Sequence, residues 1–209
     1  MPCKADPVVQ KAFLENTMEP LIAAAEQGKI HLYYVDAAHF VLGAFLGSLW
    51  SKYRLFVRTP SGRQRYNVLG AYNAITGAMV SVTNTTYINS SSVIELLGKL
   101  SLLHPEGTVK VILDNAAYQR CYWVRAFASL VGIELVFLPS YSPNLNLIER
   151  FWKFVKKKSL SNHFYSNFED FSAAIDDCIK NANKKHAQEL KSRMTLRFQT
   201  FENVQCLAV

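Results

Sequence analysis

Short apolar strands alternate with amphipathic helices through most of this sequence, and this order restricts the fold more than any other feature. Residues 32–35 and 109–113 are short, mainly apolar runs, typical of strands covered on both faces. Residues 65–74 and 78–84 are also strand-like, and the turn between them contains Gly77, which predicts a hairpin. We therefore expect an α/β fold with a mixed sheet, antiparallel on one side and parallel on the other.

Apolar residues at helical spacing predict the helices that would flank this sheet. Gly28 and Gly132 mark two of the helix ends, and a serine-rich segment after Asn89 marks one helix start. With a further strand over residues 133–138, the order becomes β, hairpin, α, β, α, β, α. The predicted helices cover residues 7–27, 89–103, 118–131, 147–160 and 168–187.

Composition agrees with one folded domain. The chain has 209 residues, of which 50% are apolar, enough for a substantial core, so intrinsic disorder is excluded. The formal charge is +7, which suits a polyanionic partner. Residues 1–149 hold 12 Lys and Arg against 10 Asp and Glu, whereas residues 150–209 hold 11 against 6. We expect nucleic acid to meet the more basic final segment.

The four cysteines predict neither a disulfide framework nor a zinc site, because they lie far apart and form no Cys-x-x-Cys pair. This pattern favours a reducing compartment. The N-terminus lacks the apolar stretch of a signal peptide. Residues 31–50 are long enough to cross a bilayer, but Asp36 within them favours a buried strand and a connection over a membrane span.

Two carboxylates, Asp36 and Asp114, follow apolar strand-like runs. Either one alone is typical of a turn former or a helix cap. Ligands gather at the carboxyl ends of parallel strands, so the two together suggest a shared site. Adjacent carboxylates repel each other unless a cation neutralises them, so we expect a divalent metal ion there.

Glu149 is the third candidate, in the first turn of the helix predicted over residues 147–160. On a helical wheel it flanks the apolar face that contains Ile148, Trp152 and Val155. An acidic residue at this position also stabilises the helix dipole, by a few tenths of a kcal/mol to about 1 kcal/mol, and that reading would account for Glu149 alone.

The segments around the three acids are Tyr34-Val-Asp36-Ala-Ala-His39, Leu113-Asp114-Asn115-Ala-Ala-Tyr-Gln119 and Leu138-Pro-Ser-Tyr-Ser-Pro-Asn-Leu-Asn-Leu-Ile-Glu149-Arg-Phe-Trp-Lys153. They resemble the catalytic domain of DDE transposases of the mariner-like superfamily, most closely the bacterial insertion-sequence group called IS six-thirty. The 34 residues between the second and third acids match the interval typical of that superfamily. The likeness also includes Pro60-Ser-Gly-Arg-Gln-Arg-Tyr-Asn-Val-Leu-Gly70.

The resemblance implies a ribonuclease-H-like fold and an enzyme that cleaves DNA strands and transfers the 3′ ends during transposition. It implies two Mg²⁺ or Mn²⁺ ions, with Asp36 shared between them and Asp114 and Glu149 each helping to hold one. Asn115 and His39 would lie behind these ligands or touch the scissile phosphate, although a purely structural role fits them equally well. Relatives act as homodimers and insert at the dinucleotide TA, and we expect both here.

The sequence departs from the family pattern at Asn144, where many relatives have an acidic residue, and at Leu147, where many have proline. Relatives also carry helix-turn-helix modules before the first acid, whereas here only thirty-five residues precede Asp36. We therefore expect the catalytic half of a truncated or split gene, with a separate helix-turn-helix half as a possible partner. The expected divisions are an N-terminal helical extension over 1–30, the catalytic domain over 31–165 and a C-terminal helical extension packed on it over 166–209.

Basic side chains next to the acids are candidate DNA contacts, since phosphate binding depends on Lys and Arg. In isolation such a charge run is as typical of a solvated helix face. One set follows Glu149 and the other surrounds the Pro60-Ser-Gly segment. The candidates are Arg150, Lys153, Lys156, Lys157 and Lys158 in the first set and Arg58, Arg63 and Arg65 in the second.

Two alternatives stay open. A ribonuclease-H-like nuclease without strand transfer commonly has a further glutamate on the helix after the hairpin; Glu95 is on that helix, but its spacing turns it to solvent, which disfavours this reading. An inactive DNA-binding remnant is the other alternative, which the three intact acids disfavour. In each case we expect a bacterial cytoplasmic protein, associated with the nucleoid when bound to DNA.

Overall fold

A computed structural model describes residues 5–43, 52, 53, 56 and 63–199 of the chain. Its centre is a sheet of five strands, β1 (His31–Val41), β2 (Arg65–Asn73), β3 (Met79–Asn84), β4 (Val109–Leu113) and β5 (Ile133–Phe137). Their order in the sheet is β3-β2-β1-β4-β5. β1 pairs antiparallel with β2 and parallel with β4, so it joins the two halves of the sheet. The predicted mixed α/β sheet is therefore confirmed.

Helices cover both faces of the sheet, as the apolar spacing predicts. The helices are α1 (Pro7–Phe13), α2 (Glu19–Glu26), α3 (Ser90–Leu103), α4 (Tyr122–Leu130), α5 (Ile148–Ser159), α6 (Phe168–Lys185) and α7 (Ala187–Arg193). One core contains Val93, Leu96 and Val124 and lies between the sheet and helices α3 and α4. The core on the opposite face contains Phe151 and Ile175 and is formed with the remaining helices.

β1 extends beyond the strand that the sequence suggests. We expected it to end at Asp36, but it continues to Val41. The reason is its antiparallel partner, because β2 pairs with it from Tyr33 to Val41, whereas β4 pairs with it only from His31 to Tyr34. Asp36 therefore lies inside a strand, just beyond the point where the parallel ladder stops.

The N-terminal helix is continuous but not uniform. Asp6 caps it through its carboxylate, which accepts hydrogen bonds from the backbone N–H groups of Val8 and Val9. Between α1 and α2 the chain makes a π-helical turn, Leu14–Met18. Met18 is fully buried in the core beneath α5, where the Tyr34 hydroxyl donates to its sulfur at 3.2 Å. This helix is thus part of the core that also contains the α5 side chains.

Two other predicted helices have different bounds in the structure. The helix expected from residue 118 begins at Tyr122, because Asp114 accepts a hydrogen bond from the Ala116 backbone and Cys121 is extended. The helix expected over 168–187 ends at Lys185, and a separate short helix, α7, follows it. Within the described residues, no helix is long and apolar enough to cross a membrane.

Candidate active site

The register of the parallel strands brings Asp36 and Asp114 to the same level of the sheet. Tyr34 pairs with Ile112, so Asp36 in β1 and Asp114, which directly follows β4, are each two residues beyond this pair. Side chains alternate along a strand, and both acids are on the sheet face that α5 covers. The pairing of β1 and β4 therefore places them side by side, as the sequence predicts.

Glu149 reaches the same place from α5. It is the second residue of the helix, and its backbone N–H donates to the carbonyl of Asn146 at 3.2 Å. The three acids line one cleft of about 220 Å³, together with Asn115, Asn146 and the loop over residues 138–143. Two strands and one helix thus bring together side chains that are far apart in sequence.

The electrostatics of this cleft disfavour the ionised form of Asp36. Burial raises its pKa to about 7, and the negative charges of Glu149 and Asp114 contribute to the increase. The Ala37 backbone N–H acts in the opposite direction, but it does not cancel the effect. A cation in the cleft would remove this penalty, because it favours all three carboxylates in their charged form.

The three acids are of the chemical type that binds divalent cations. Carboxylate oxygens are hard ligands of the kind that Mg²⁺ and Mn²⁺ prefer. Within the part of the chain that the structure describes, no group of three or more His, Cys, Asp or Glu side chains is arranged to hold one metal ion.

Asn115 and His39 have different surroundings. Asn115 lines the cleft, and its Nδ2 donates to the Leu138 carbonyl, which joins the loop after β4 to the end of β5. His39 lies on the opposite face of β1 from Asp36, with an exposed ring whose Nδ1 is 2.7 Å from Asn67 Oδ1. The structure brings only Asn115 to the acids.

The basic residues of α5 also divide into groups. The Arg150 guanidinium donates to the carbonyls of Thr195 and Arg197, each at 2.6 Å, and lies over the Phe198 ring. Lys158 pairs with Glu189 at 2.8 Å. Arg150 therefore binds the segment that follows α7, and Lys158 binds α7 itself.

Lys153 and Lys157 are exposed, and neither forms an ion pair with a described acid. Lys156 is half-buried and lies 6.0 Å from the centre of the Phe40 ring. Of the second basic group, Arg63 and Arg65 are exposed at the start of β2, and Arg58 is outside the described residues. Lys153 and Lys157 are therefore the α5 cations most available to a ligand.

Three features of the cleft were missed by sequence reasoning. Trp152 is buried beside Asp36, where Gly70, the β2 partner of Asp36, leaves room for its ring. Gln10 fastens the loop that forms one wall, since its Nε2 donates to Ser142 Oγ at 3.0 Å. Asn146 also lines the cleft, and its Nδ2 donates to the Val35 carbonyl at 3.2 Å. The position of Trp152 had one signal in the sequence, which is the glycine at position 70 in an otherwise apolar strand. The long-range contact of Gln10 had no such signal.

Glu95 is exposed on α3 and pairs with Lys99 at 3.0 Å. It lies outside the cleft, as its spacing predicts. The nuclease alternative therefore loses the fourth acid that would have favoured it.

Residues 31–172 match the family model described as DDE superfamily endonuclease. The chain belongs to this superfamily. A comparison with curated protein sequences gave no significant match. The IS six-thirty group stays a prediction within the superfamily.

Solved structures with the same fold include Mos1 complexes and a retroviral integrase catalytic core. The Mos1 strand transfer complex has a TM-score of 0.67 at 14% identity, over 94% of this chain and 60% of the Mos1 chain. The Mos1 mariner paired-end complex with Mn has a TM-score of 0.60 at 13% identity, over 90% and 64%. The trimeric form of the HTLV-2 integrase catalytic core with magnesium has a TM-score of 0.52 at 13% identity, over 78% and 91%. The ribonuclease-H-like fold is thus confirmed, and this DDE chain spans about 60% of the Mos1 chains.

Proposed function

We propose that this DDE protein cleaves DNA strands and joins the freed 3′ ends to target DNA during transposition. The observation that carries the proposal is the cleft in which Asp36, Asp114 and Glu149 meet. In a member of the DDE endonuclease superfamily, three acids from separate elements in one cleft are best explained as the catalytic set.

Asp36 has the central role in this proposal, since the pKa of its carboxyl responds to both other acids. We assign Asp36 and Asp114 to one Mg²⁺ or Mn²⁺ ion and Asp36 and Glu149 to a second. When bound, such ions would activate a water or 3′-hydroxyl nucleophile and stabilise the leaving oxygen of the phosphodiester. Asn115 supports Asp114 by fixing the loop after β4 to the Leu138 carbonyl.

DNA is the proposed substrate, and we propose two exposed lysines of α5 as contacts for its phosphates. Lys153 is one helical turn beyond Glu149, and Lys157 is one turn further. The two lysines therefore follow Glu149 along α5, starting from the edge of the cleft. They would hold phosphates next to the scissile bond. Arg63 and Arg65 are a second proposed contact.

The assembly is also a proposal. The Mos1 structures with the same fold include a strand transfer complex and a paired-end complex with the left transposon end. By analogy we propose a homodimer on DNA, insertion at TA and site recognition by a helix-turn-helix half.

The decisive experiment uses Asp114→Asn, which keeps the shape of the side chain and an oxygen that can accept from Ala116. Substrates are a pre-cleaved duplex end and supercoiled plasmid, with Mg²⁺ or Mn²⁺, and a helix-turn-helix half is supplied in trans if needed. We expect nicking and joining to fall by several orders of magnitude, with DNA binding retained or strengthened because repulsion from phosphate decreases.

Glu95→Gln is the matched control, because it removes a carboxylate outside the cleft and should leave the rates unchanged. Full activity in Asp114→Asn would contradict the proposal. Cleavage without joining in the unmodified protein would favour a nuclease, and no metal-dependent reaction would favour an inactive remnant.

A further inference from the structure

Asn146 has a buried amide oxygen without a partner. The side chain is 3% exposed, and its Nδ2 donates to the Val35 carbonyl at 3.2 Å. That bond fixes the orientation of the amide, because a carbonyl oxygen accepts a hydrogen bond only from the nitrogen. Oδ1 is then the free end, and it is buried with no hydrogen-bond partner.

The position of this amide links it to two of the acids. Nδ2 is fastened to the residue that precedes Asp36, and the Asn146 carbonyl accepts the backbone N–H of Glu149 at 3.2 Å. Asn146 also lines the cleft with both acids. It therefore lies between the strand that carries Asp36 and the helix that carries Glu149.

A buried acceptor without a hydrogen bond is costly, and native proteins rarely keep one without a reason. In this cleft the missing partner is best explained as a ligand. A neutral amide oxygen is a hard donor that adds no further negative charge to a site with three carboxylates.

We propose that Asn146 Oδ1 is a fourth oxygen donor of the cleft, toward a divalent cation held by Asp36 and Glu149, directly or through one coordinated water. This inference rests on the proposed function, since it requires that the acids bind cations. It adds a neutral residue to the acidic set and gives a reason for the orientation of its amide.

The structure offers a competing, purely structural role. Asn146 also ties its loop to β1, so its loss loosens one wall of the cleft. Gln10 ties the same loop from outside the cleft, through Ser142 Oγ at 3.0 Å and Asn144 Nδ2 at 3.1 Å. Gln10→Ala therefore loosens the loop without removing a donor from the cleft.

The experiment measures Mn²⁺ binding to the full chain without DNA, by the loss of the free-ion electron paramagnetic resonance signal. We expect Asn146→Ala to weaken Mn²⁺ binding roughly ten-fold, the low end of the effect of removing groups that support metal ligands. Asn146→Asp restores an oxygen and should bind Mn²⁺ more tightly than Asn146→Ala. Gln10→Ala should bind as the unmodified chain does.

Ser140→Asp controls for added charge, because it places one carboxylate on the exposed rim of the cleft. If Asn146→Ala does not fold, the comparison of Asn146→Asp with Ser140→Asp decides, and the inference requires tighter binding for Asn146→Asp. Unchanged binding in folded Asn146→Ala, or an equal loss in Gln10→Ala, would overturn the inference and leave the proposed function standing. No Mn²⁺ binding by the unmodified chain would overturn both.

Discussion

Asp36 is largely buried and has two negatively charged neighbours, so ionisation of its carboxyl costs free energy. Unfolding returns its pKa from about 7 to the ordinary value of 3.8, so between these values the folded state binds more protons than the unfolded state. The folded state is therefore favoured by Asp36 protonation, and stability should fall as pH rises through this window. The slope for one proton approaches about 1.4 kcal/mol per pH unit.

We expect the free energy of unfolding of the metal-free protein to fall more between about pH 5 and about pH 8 than that of Asp36→Asn does. These two pH values lie on either side of the Asp36 pKa of about 7. Urea unfolding at the two pH values measures the loss of stability in each protein. Comparison of the two proteins cancels the titration of the groups that they share. Added Mn²⁺ should restore stability at the higher pH only while Asp36 is present. Identical pH dependence in the two proteins would contradict this account of the cleft.

Gly70 is a second residue whose role depends on close contact. A Cβ at this position would lie 2.7 Å from the Trp152 ring and 2.2 Å from the Met79 side chain. Met79 has a flexible side chain, whereas Trp152 is a rigid ring that is buried in the core, so Gly70→Ala should destabilise the protein by about 1 to 3 kcal/mol. Displacement of the indole should also change its fluorescence.

Gly98→Ala is the matched control for Gly70→Ala. Its Cβ would lie 3.7 Å from Phe127, an ordinary contact, and it is within α3. Alanine is favoured over glycine in a helix by about 0.5 to 1 kcal/mol, so this variant should be stabilised. Similar losses in both variants would show that the space around Gly70 is not the cause.

At the scale of elements, α5 has two separate tasks for its cations. Arg150 fastens the segment over 195–198, so Arg150→Ala should lower the free energy of unfolding by about 1 to 2 kcal/mol. The double variant Lys153→Ala and Lys157→Ala should leave stability nearly unchanged. It should instead reduce the salt dependence of DNA binding, by up to about 0.9 in slope for each phosphate that the lysines no longer neutralise.

Fluorescence anisotropy at several salt concentrations, with urea unfolding in parallel, separates these effects. The opposite result would be a salt dependence of DNA binding that changes in folded Arg150→Ala but not in the double variant. It would show that Arg150, and not the two lysines, contacts the phosphates. The sequence alone could not make this distinction, since all five basic residues after Glu149 look equivalent in a charge run.

Most elements were predictable because their signals are local. The β2–β3 hairpin has its turn at Gly77, whose φ of +70° favours glycine. The N-cap of α3 is Asn89, whose side chain accepts a hydrogen bond from the Ser92 backbone N–H. The length of β1 was not predictable, because it depends on pairing with β2. The start of α4 also depends on a turn after Asp114 that apolar spacing does not detect.

At the scale of the molecule, the N-terminal helix shares a core with α5 and α6. Met18 is fully buried in the cluster that contains Phe151 and Phe171. Met18→Ala should therefore lower the free energy of unfolding of the whole protein by about 2 to 5 kcal/mol in a single transition. Val8→Ala, which changes a side chain that is 77% exposed, should have an effect within about 0.5 kcal/mol.

Two transitions in the unfolding of Met18→Ala, followed by both tryptophan fluorescence and circular dichroism, would contradict a shared core. They would also favour the predicted division of the chain at residue 30, which otherwise stays a proposal.

The meeting of the acids was predictable from strand order, because parallel strands place Asp36 and Asp114 at one edge of the ladder. The wall of the cleft was not. Gln10 and Ser142 are 132 positions apart, and nothing local in either segment indicates their contact. The same holds for Asn146, whose amide bond to Val35 spans 111 positions. Polar groups that are buried through such contacts depend on the complete fold.

The alternation of side chains along β1 limits how this chain can vary in length. Insertion or deletion of one residue between positions 31 and 35 would turn Asp36 to the α3 face and His39 to the face of the acids. Two inserted residues would keep the face but move Asp36 by roughly 7 Å along the strand, past Asp114. Among homologous chains, gaps should therefore fall outside the first half of β1, even where its apolar residues are freely exchanged.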